Sequence, residues 1–177
     1  MNLIPPVRAA LAERFIFNFR MPLAAMAGML PAPWLTPLPV RGWGVASFCL
    51  LDLRHITAAP LPTVAGVNSI SCAPRFAVLD HSGGTPRPAV FVETRQTSSP
   101  FGAWFTSLGF SCRHPYADAH ITHGDAQTEI SVTGEDRNYQ FSATVREAEE
   151  TSSALFDSGA DFGDFIAEGV ASYGPSR

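Results

Sequence analysis

The sequence predicts a mainly β fold of the α+β kind, a twisted barrel or cone with a few short outer helices. Two observations carry this expectation. Short apolar or alternating segments recur along the chain, and Gly, Pro and Asp turn signals separate them at close intervals. Runs of strands with only occasional helical periodicity favour a closed or highly curved sheet over a helical bundle. The length of 177 residues, with 46% hydrophobic and 16% charged, suits one domain spanning 1–177 with a sizeable core.

Taken in order, Pro5 and Pro6 followed by 7–13 predict a short leading helix, because proline is tolerated in a first helical turn. Residues 14–20 (RFIFNFR) alternate, with Phe15, Phe17 and Phe19 on one side, and predict a strand with an aromatic face. Pro22 opens a second helix on which Leu23, Met26, Ala27 and Leu30 share a stripe, and Pro31 ends it. The prolines up to Pro39 predict a rigid crossing loop. Residues 42–54 are apolar and fairly continuous, as in a strand covered on both faces, and 67–80 predict a long strand interrupted at Pro74.

The turn 80–86 (DHSGGTP) and the strand 89–97 complete a hairpin. A helix over 99–110 follows, with Ser98 or Ser99 as its N-cap and Pro100 in its first turn. Strands over 117–122, 126–133 and 139–147 form a meander, and a final helix over 161–172 carries Phe162, Phe165, Ile166 and Val170 on one stripe. Trp34, Trp43 and Trp104 are expected in the core or in a pocket wall.

Composition excludes several functions. A net charge of −4 and the absence of any basic run argue against nucleic-acid or anionic-membrane partners. Three cysteines, Cys49, Cys72 and Cys112, with no CxxC spacing, point to a reducing compartment, and the cytoplasm is the expected location. Residues 21–30 are not expected to be a signal-peptide core, since Glu13 and two prolines precede them. The chain contains no lysine; all twelve of its basic side chains are arginine. Arginine stays protonated and cannot attack a carbonyl, so imine formation by a side chain is closed, as is a Gly-Lys-Ser/Thr phosphate loop.

Three stretches together resemble a known family. They are RFIFNFR with the following PLAAMAGMLPAPWLTPLPVRGWGVASFCLLDLR, the central PAVFVETRQTSSPFGAWFTSLGF with its trailing HPYADAHI, and DFIAEGVASYGPSR. Their order resembles the DUF2071 family of uncharacterised bacterial proteins, placed beside acetoacetate decarboxylase, over roughly residues 14–173. The resemblance implies a β-cone or barrel whose interior is the functional site. In acetoacetate decarboxylase an interior lysine forms an imine with a β-keto acid. The similar stretch here, RQTSSPFG over 95–102, has Phe101 and Gly102 after Pro100, where that family has its lysine pair. Arg14, ahead of Phe17-Asn18, matches a family arginine, which implies an anion-binding role. The chain stops soon after its last helix where relatives continue with more strand, so closure is expected to be incomplete or made through a homodimer contact.

The residues themselves offer two constellations. Glu93 and Arg95 stand two apart on an expected strand and share a face with Phe91. Turned inward, Arg95 suits a carboxylate ligand; turned outward, the two are a surface pair of little energetic weight. Cys112, His114, His120 and His123 carry zinc-ligand chemistry at a spacing that fits no known structural site. They are expected as surface or cavity-edge residues, with His114 or His120 lining a ligand pocket and a metal-dependent enzyme as the weaker alternative. Ser98 and Ser99 lack a nucleophile elbow and are explained by capping. Asp157, Asp161 and Asp164 lack the EF-hand spacing and are explained as helix-terminal acids. The functional expectation is a small-molecule ligand, held by Arg14, Glu93, Arg95, His114 and His120, with no cofactor. The competing expectation is an interaction or oligomerisation module with a filled interior.

Overall fold

In a computed structural model, the structure describes residues 7–58, 60–107, 114–135, 139–149, 152–169 and 171–174. The elements are β1 (Val7–Met21), α1 (Leu23–Ala27), β2 (Leu35–Pro37), β3 (Pro39–Val40), β4 (Trp43–Ala58), β5 (Val67–Asp80), β6 (Arg87–Val92), β7 (Gln96–Thr97), α2 (Pro100–Ser107), β8 (Ala117–His123), β9 (Thr128–Gly134), β10 (Gln140–Val145), α3 (Gly159–Glu168) and β11 (Ala171–Tyr173). One sheet has the order β1-β4-β5-β6-β11, with β2 and β7 on β5 and β3 on β4; the other has the order β10-β9-β8. The fold is mainly β, as expected, but both orders are open paths. The closed barrel expected from the resemblance is not found among the described residues.

Two compact units are present. The first comprises Met1–Phe15, Cys49–Cys72 and Arg95–Glu147; the second comprises Ile16–Phe48, Ala73–Thr94 and Ala148–Arg177.

In the first unit, the expected leading helix is strand instead, part of the 15-residue β1. Alanine and leucine favour a helix by a few tenths of a kcal/mol each. A ladder with the long β4 outweighs that preference. The meander forms as expected. Ala119 faces Val132 and Ile121 faces Ile130 across β8 and β9, and Ala117, Ala119, Ile130 and Val132 are buried. The intervening Asp118, His120, Thr122, Glu129 and Ser131 are exposed, the alternation of a sheet with one wet face. Where β4 passes His55 the backbone turns to a φ of 54°, and a Cβ on Gly66 would come within 2.5 Å of the His55 carbonyl carbon. Only glycine allows that approach.

In the second unit, Arg41 and Gly42 join β3 to β4 with φ of 50° and 81°, the two positive angles of a tight hairpin turn. Met26 on α1 is fully buried with Leu35, Phe76, Val78, Ala89 and Phe91, and burying an aliphatic side chain of this size is worth about 1.5–3 kcal/mol. Gly44 opposite leaves room for the Met26 thioether. A second cluster joins Val45, Ala77 and Leu155 to Phe156 and Phe165. The 80–86 hairpin turn forms as expected: Ser82 N–H donates to Asp80 Oδ1 at 2.7 Å. The final helix stops at Glu168, short of the expected Ser172, and the chain returns as β11 parallel to β6. Its N-cap is Ser158, whose Oγ accepts from Asp161 N–H, while Asp161 accepts from Asp157 N–H.

Candidate functional site

The first unit brings Arg95 and His114 together. β7 pairs with β5, Thr97 opposite Ser71 and Gln96 opposite Cys72. Thr97 also forms a parallel bridge with Tyr116 and donates its N–H to the Pro115 carbonyl at 3.1 Å. Arg95 and His114 each stand two residues before that bridge, at matching positions on adjacent parallel segments. Both are half-buried. Burial, and then the positive charge of Arg95, lower the His114 pKa from its ordinary value of 6.5. His114 is thus a neutral imidazole at pH 7, beside a permanent cation.

Neighbouring hydroxyls hold this corner in shape. Ser69 Oγ and Thr97 Oγ1 are 2.7 Å apart and buried. Ser98 Oγ accepts from Ile70 N–H at 2.8 Å. Ser99 Oγ accepts from Gly102 N–H at 3.1 Å and caps α2, while Ser99 N–H donates to Thr97 Oγ1. Capping was the expected role of Ser99, and these bonds occupy both serines structurally.

Gln96 and Cys72 carry a second buried group. The Cys72 thiol donates weakly to Gln96 Oε1 at 3.6 Å. Burial pushes its pKa up to about 11, opposed by the Tyr139 hydroxyl and reinforced by Cys49. Burial, then Cys72, likewise raises the Tyr139 phenol above its ordinary range. Tyr139 Oη is buried with no hydrogen bond of good alignment. Neither Gln96 nor Tyr139 was singled out in the sequence. Neither carries a local signal, because the burial of both groups comes from pairing between distant strands.

The other expected residues lie elsewhere. Arg14 is exposed on β1. Glu93 is exposed in the second unit, just past the end of β6. The single strand expected over 89–97 is broken: β6 ends at Val92 and β7 begins at Gln96, so Glu93 and Arg95 lie in the segment between two strands. Pro74, which has no N–H to give, sits in that break.

His120 and His123 both lie on β8 and are exposed. His120 Nε2 meets Asp118 Oδ1 at 2.8 Å. His123 Nε2 is 3.1 Å from Glu13 Oε2, a contact of ion-pair distance without hydrogen-bond alignment, and its Nδ1 lies 3.2 Å from Thr128 Oγ1. Cys112 lies outside the described residues. Among the described residues no three His, Cys, Asp or Glu side chains form a metal-ligating group, so the metal-dependent alternative finds no site there. No described helix is long and apolar enough to cross a membrane.

The arrangement offers a guanidinium, which forms paired hydrogen bonds to a carboxylate, and a neutral imidazole, which can give or accept one proton. No family model matches the chain, and no curated protein matches it either. Among solved structures it is similar to the enduracididine biosynthesis enzyme MppR, complexed with the condensation product of pyruvate and imidazole 4-carboxaldehyde. The TM-score is 0.57 at 16% identity, covering 88% of this chain and 62% of that one. The chain therefore spans less than two thirds of that enzyme's length. The likeness is one of fold.

Proposed function

We propose that this chain is a small-molecule-binding domain of the acetoacetate-decarboxylase-like class, related to the DUF2071 proteins, and that it takes a small carboxylate at Arg95 and His114. The observation that carries the reading is the placement of half-buried Arg95 and His114 at matching positions two residues before the Thr97–Tyr116 bridge, with His114 kept neutral by burial and by the Arg95 charge. Arg95 binds the carboxylate through its planar fork, and His114 donates to or accepts from a neighbouring oxygen of the ligand. Because the chain has no lysine, the ligand is held without a side-chain imine, and any catalysis uses His114 as acid or base. The MppR ligand contains a pyruvate-derived portion, which makes 2-oxo acids the first class to test. In this reading the domain works in the cytoplasm, as a monomer or homodimer, with no nucleic-acid or membrane partner.

Calorimetric titration of the full chain with pyruvate tests the proposal. Saturable binding is expected, with Arg95→Gln weakening it by at least about tenfold. Equal affinity in Arg95→Gln, or no binding of any short carboxylate, overturns it and favours an interaction module with a filled interior. Borohydride added to the complex leaves no adduct on any side chain.

A further inference from the structure

A cavity lies wholly within the second unit. Its volume is about 370 Å³, and its walls include Asn18, Ser152, Ser153, Phe156, Asp157 and Phe162. That volume is within the range of small-molecule sites, roughly 300–1,000 Å³.

The chemistry of the walls selects the ligand. Phe156 and Phe162 are half-buried, with ring centroids 5.1 Å apart and planes tilted by 51°, so the cavity has an aromatic wall. Ser47 Oγ donates to Asn18 Oδ1 at 2.7 Å, which orients the amide and leaves its NH2 able to donate. Ser153 Oγ accepts from the N–H groups of Leu155 and Phe156, so its own proton remains to be given. Asp157 is held by an ion pair with Arg41, and its carboxylate is kept below the usual range by that guanidinium.

The nearby start of α3 does not make this an anion site. Asp157 and Asp161 outnumber Arg41 there, and Ser158 already accepts from Asp161 N–H. The walls therefore combine an aromatic face, hydroxyl and amide donors and one carboxylate acceptor, in a net negative setting. A neutral, polyhydroxylated ring satisfies all of these: its C–H face lies on the phenyl rings and its hydroxyls meet Ser153, Asn18 and Asp157.

We infer that the cavity bounded by Asn18, Ser153, Phe156, Asp157 and Phe162 is a binding site for a neutral sugar of monosaccharide size. The test is a two-dimensional amide NMR titration of the full chain with D-glucose, D-ribose and, as the anionic control, gluconate. One neutral sugar shifts the Asn18, Ser153 and Phe156 signals saturably, and gluconate binds about tenfold more weakly. Phe162→Ala lowers the sugar affinity by at least about tenfold, with the dispersed spectrum confirming that the fold is kept. Asp157→Asn narrows the gap between sugar and gluconate. No saturable shift with either sugar at tens of millimolar, a preference for gluconate, or a gap unchanged in Asp157→Asn each overturns the assignment.

Discussion

The Tyr173 hydroxyl donates to Asp80 Oδ2 at 2.6 Å, joining side chains 93 positions apart. Tyr173 lies on β11, Asp80 closes β5, and β6 runs between these strands in the sheet. Trp34 packs edge-on against the Tyr173 ring at 5.3 Å. The hydrogen bond from Tyr173, then those from Ser82, lower the Asp80 pKa from 3.8. The same carboxylate, followed by burial, raises Tyr173 from 10.0. The depressed Asp80 contributes stability that is complete above pH 3.8 and lost as pH falls through its lower folded value. The raised Tyr173 contributes stability that is complete below pH 10.0 and lost as pH rises through its higher folded value. Tyr173→Phe is expected to lower Tm by a few degrees between these limits, and to lower it less at either extreme. Thermal melts across the pH range check this; an unchanged Tm at pH 7 refutes it.

Two glycines separate a rigid from a compliant close approach. A Cβ on Gly66 meets His55 backbone atoms at 2.5–2.7 Å, whereas on Gly44 it meets the flexible end of Met26 at 2.7–2.9 Å. Gly66→Ala is expected to cost about 3 kcal/mol, and Gly44→Ala about 1 kcal/mol, with Met26 changing rotamer. Urea denaturation of both variants measures the difference, and equal losses contradict the account.

His114 predicts a pH signature. Its folded pKa lies below 6.5, so its contribution to stability is present above pH 6.5 and is lost as pH falls through the depressed value. A bound carboxylate acts in the opposite sense, favouring the imidazolium. Carboxylate affinity is therefore expected to rise from pH 8 to pH 6 with proton uptake, seen by calorimetry in buffers of different ionisation enthalpy. His114→Asn removes that pH dependence while Arg95 still binds the anion.

Cys72 is expected to be inert in the native state. With a pKa of about 11, only about one part in a thousand is thiolate at pH 8. Both Cys72 and Cys49 are also buried. Iodoacetamide should label these two positions only on unfolding, as peptide mass spectrometry would show; rapid native labelling of Cys72 would contradict its buried setting.

Much of the local structure was legible in the chain. The alternation in 14–20, the Asp-His-Ser-Gly-Gly turn before β6 and the meander of β8, β9 and β10 each follow from period and turn chemistry within a few residues. Other elements were not legible. Residues 7–13 read as helix because alanine and leucine favour it locally, and their strand state depends on pairing with a segment some forty residues away. The break between β6 and β7 was not legible either, because residues 89–97 carry no glycine or proline that marks it and the interruption depends on pairing with β5.

The amino-acid sequence by itself determined the β-rich class, the turns and caps, and the exclusion of imine chemistry, because these depend on residue type and near-neighbour spacing. Tertiary structure alone decided that Arg95 stands beside His114, that Arg14 and His120 are exposed, and that the Tyr139 hydroxyl is buried near Cys72. Those relations arise from pairing between distant strands, where ladder register and burial set each side chain's surroundings and charge.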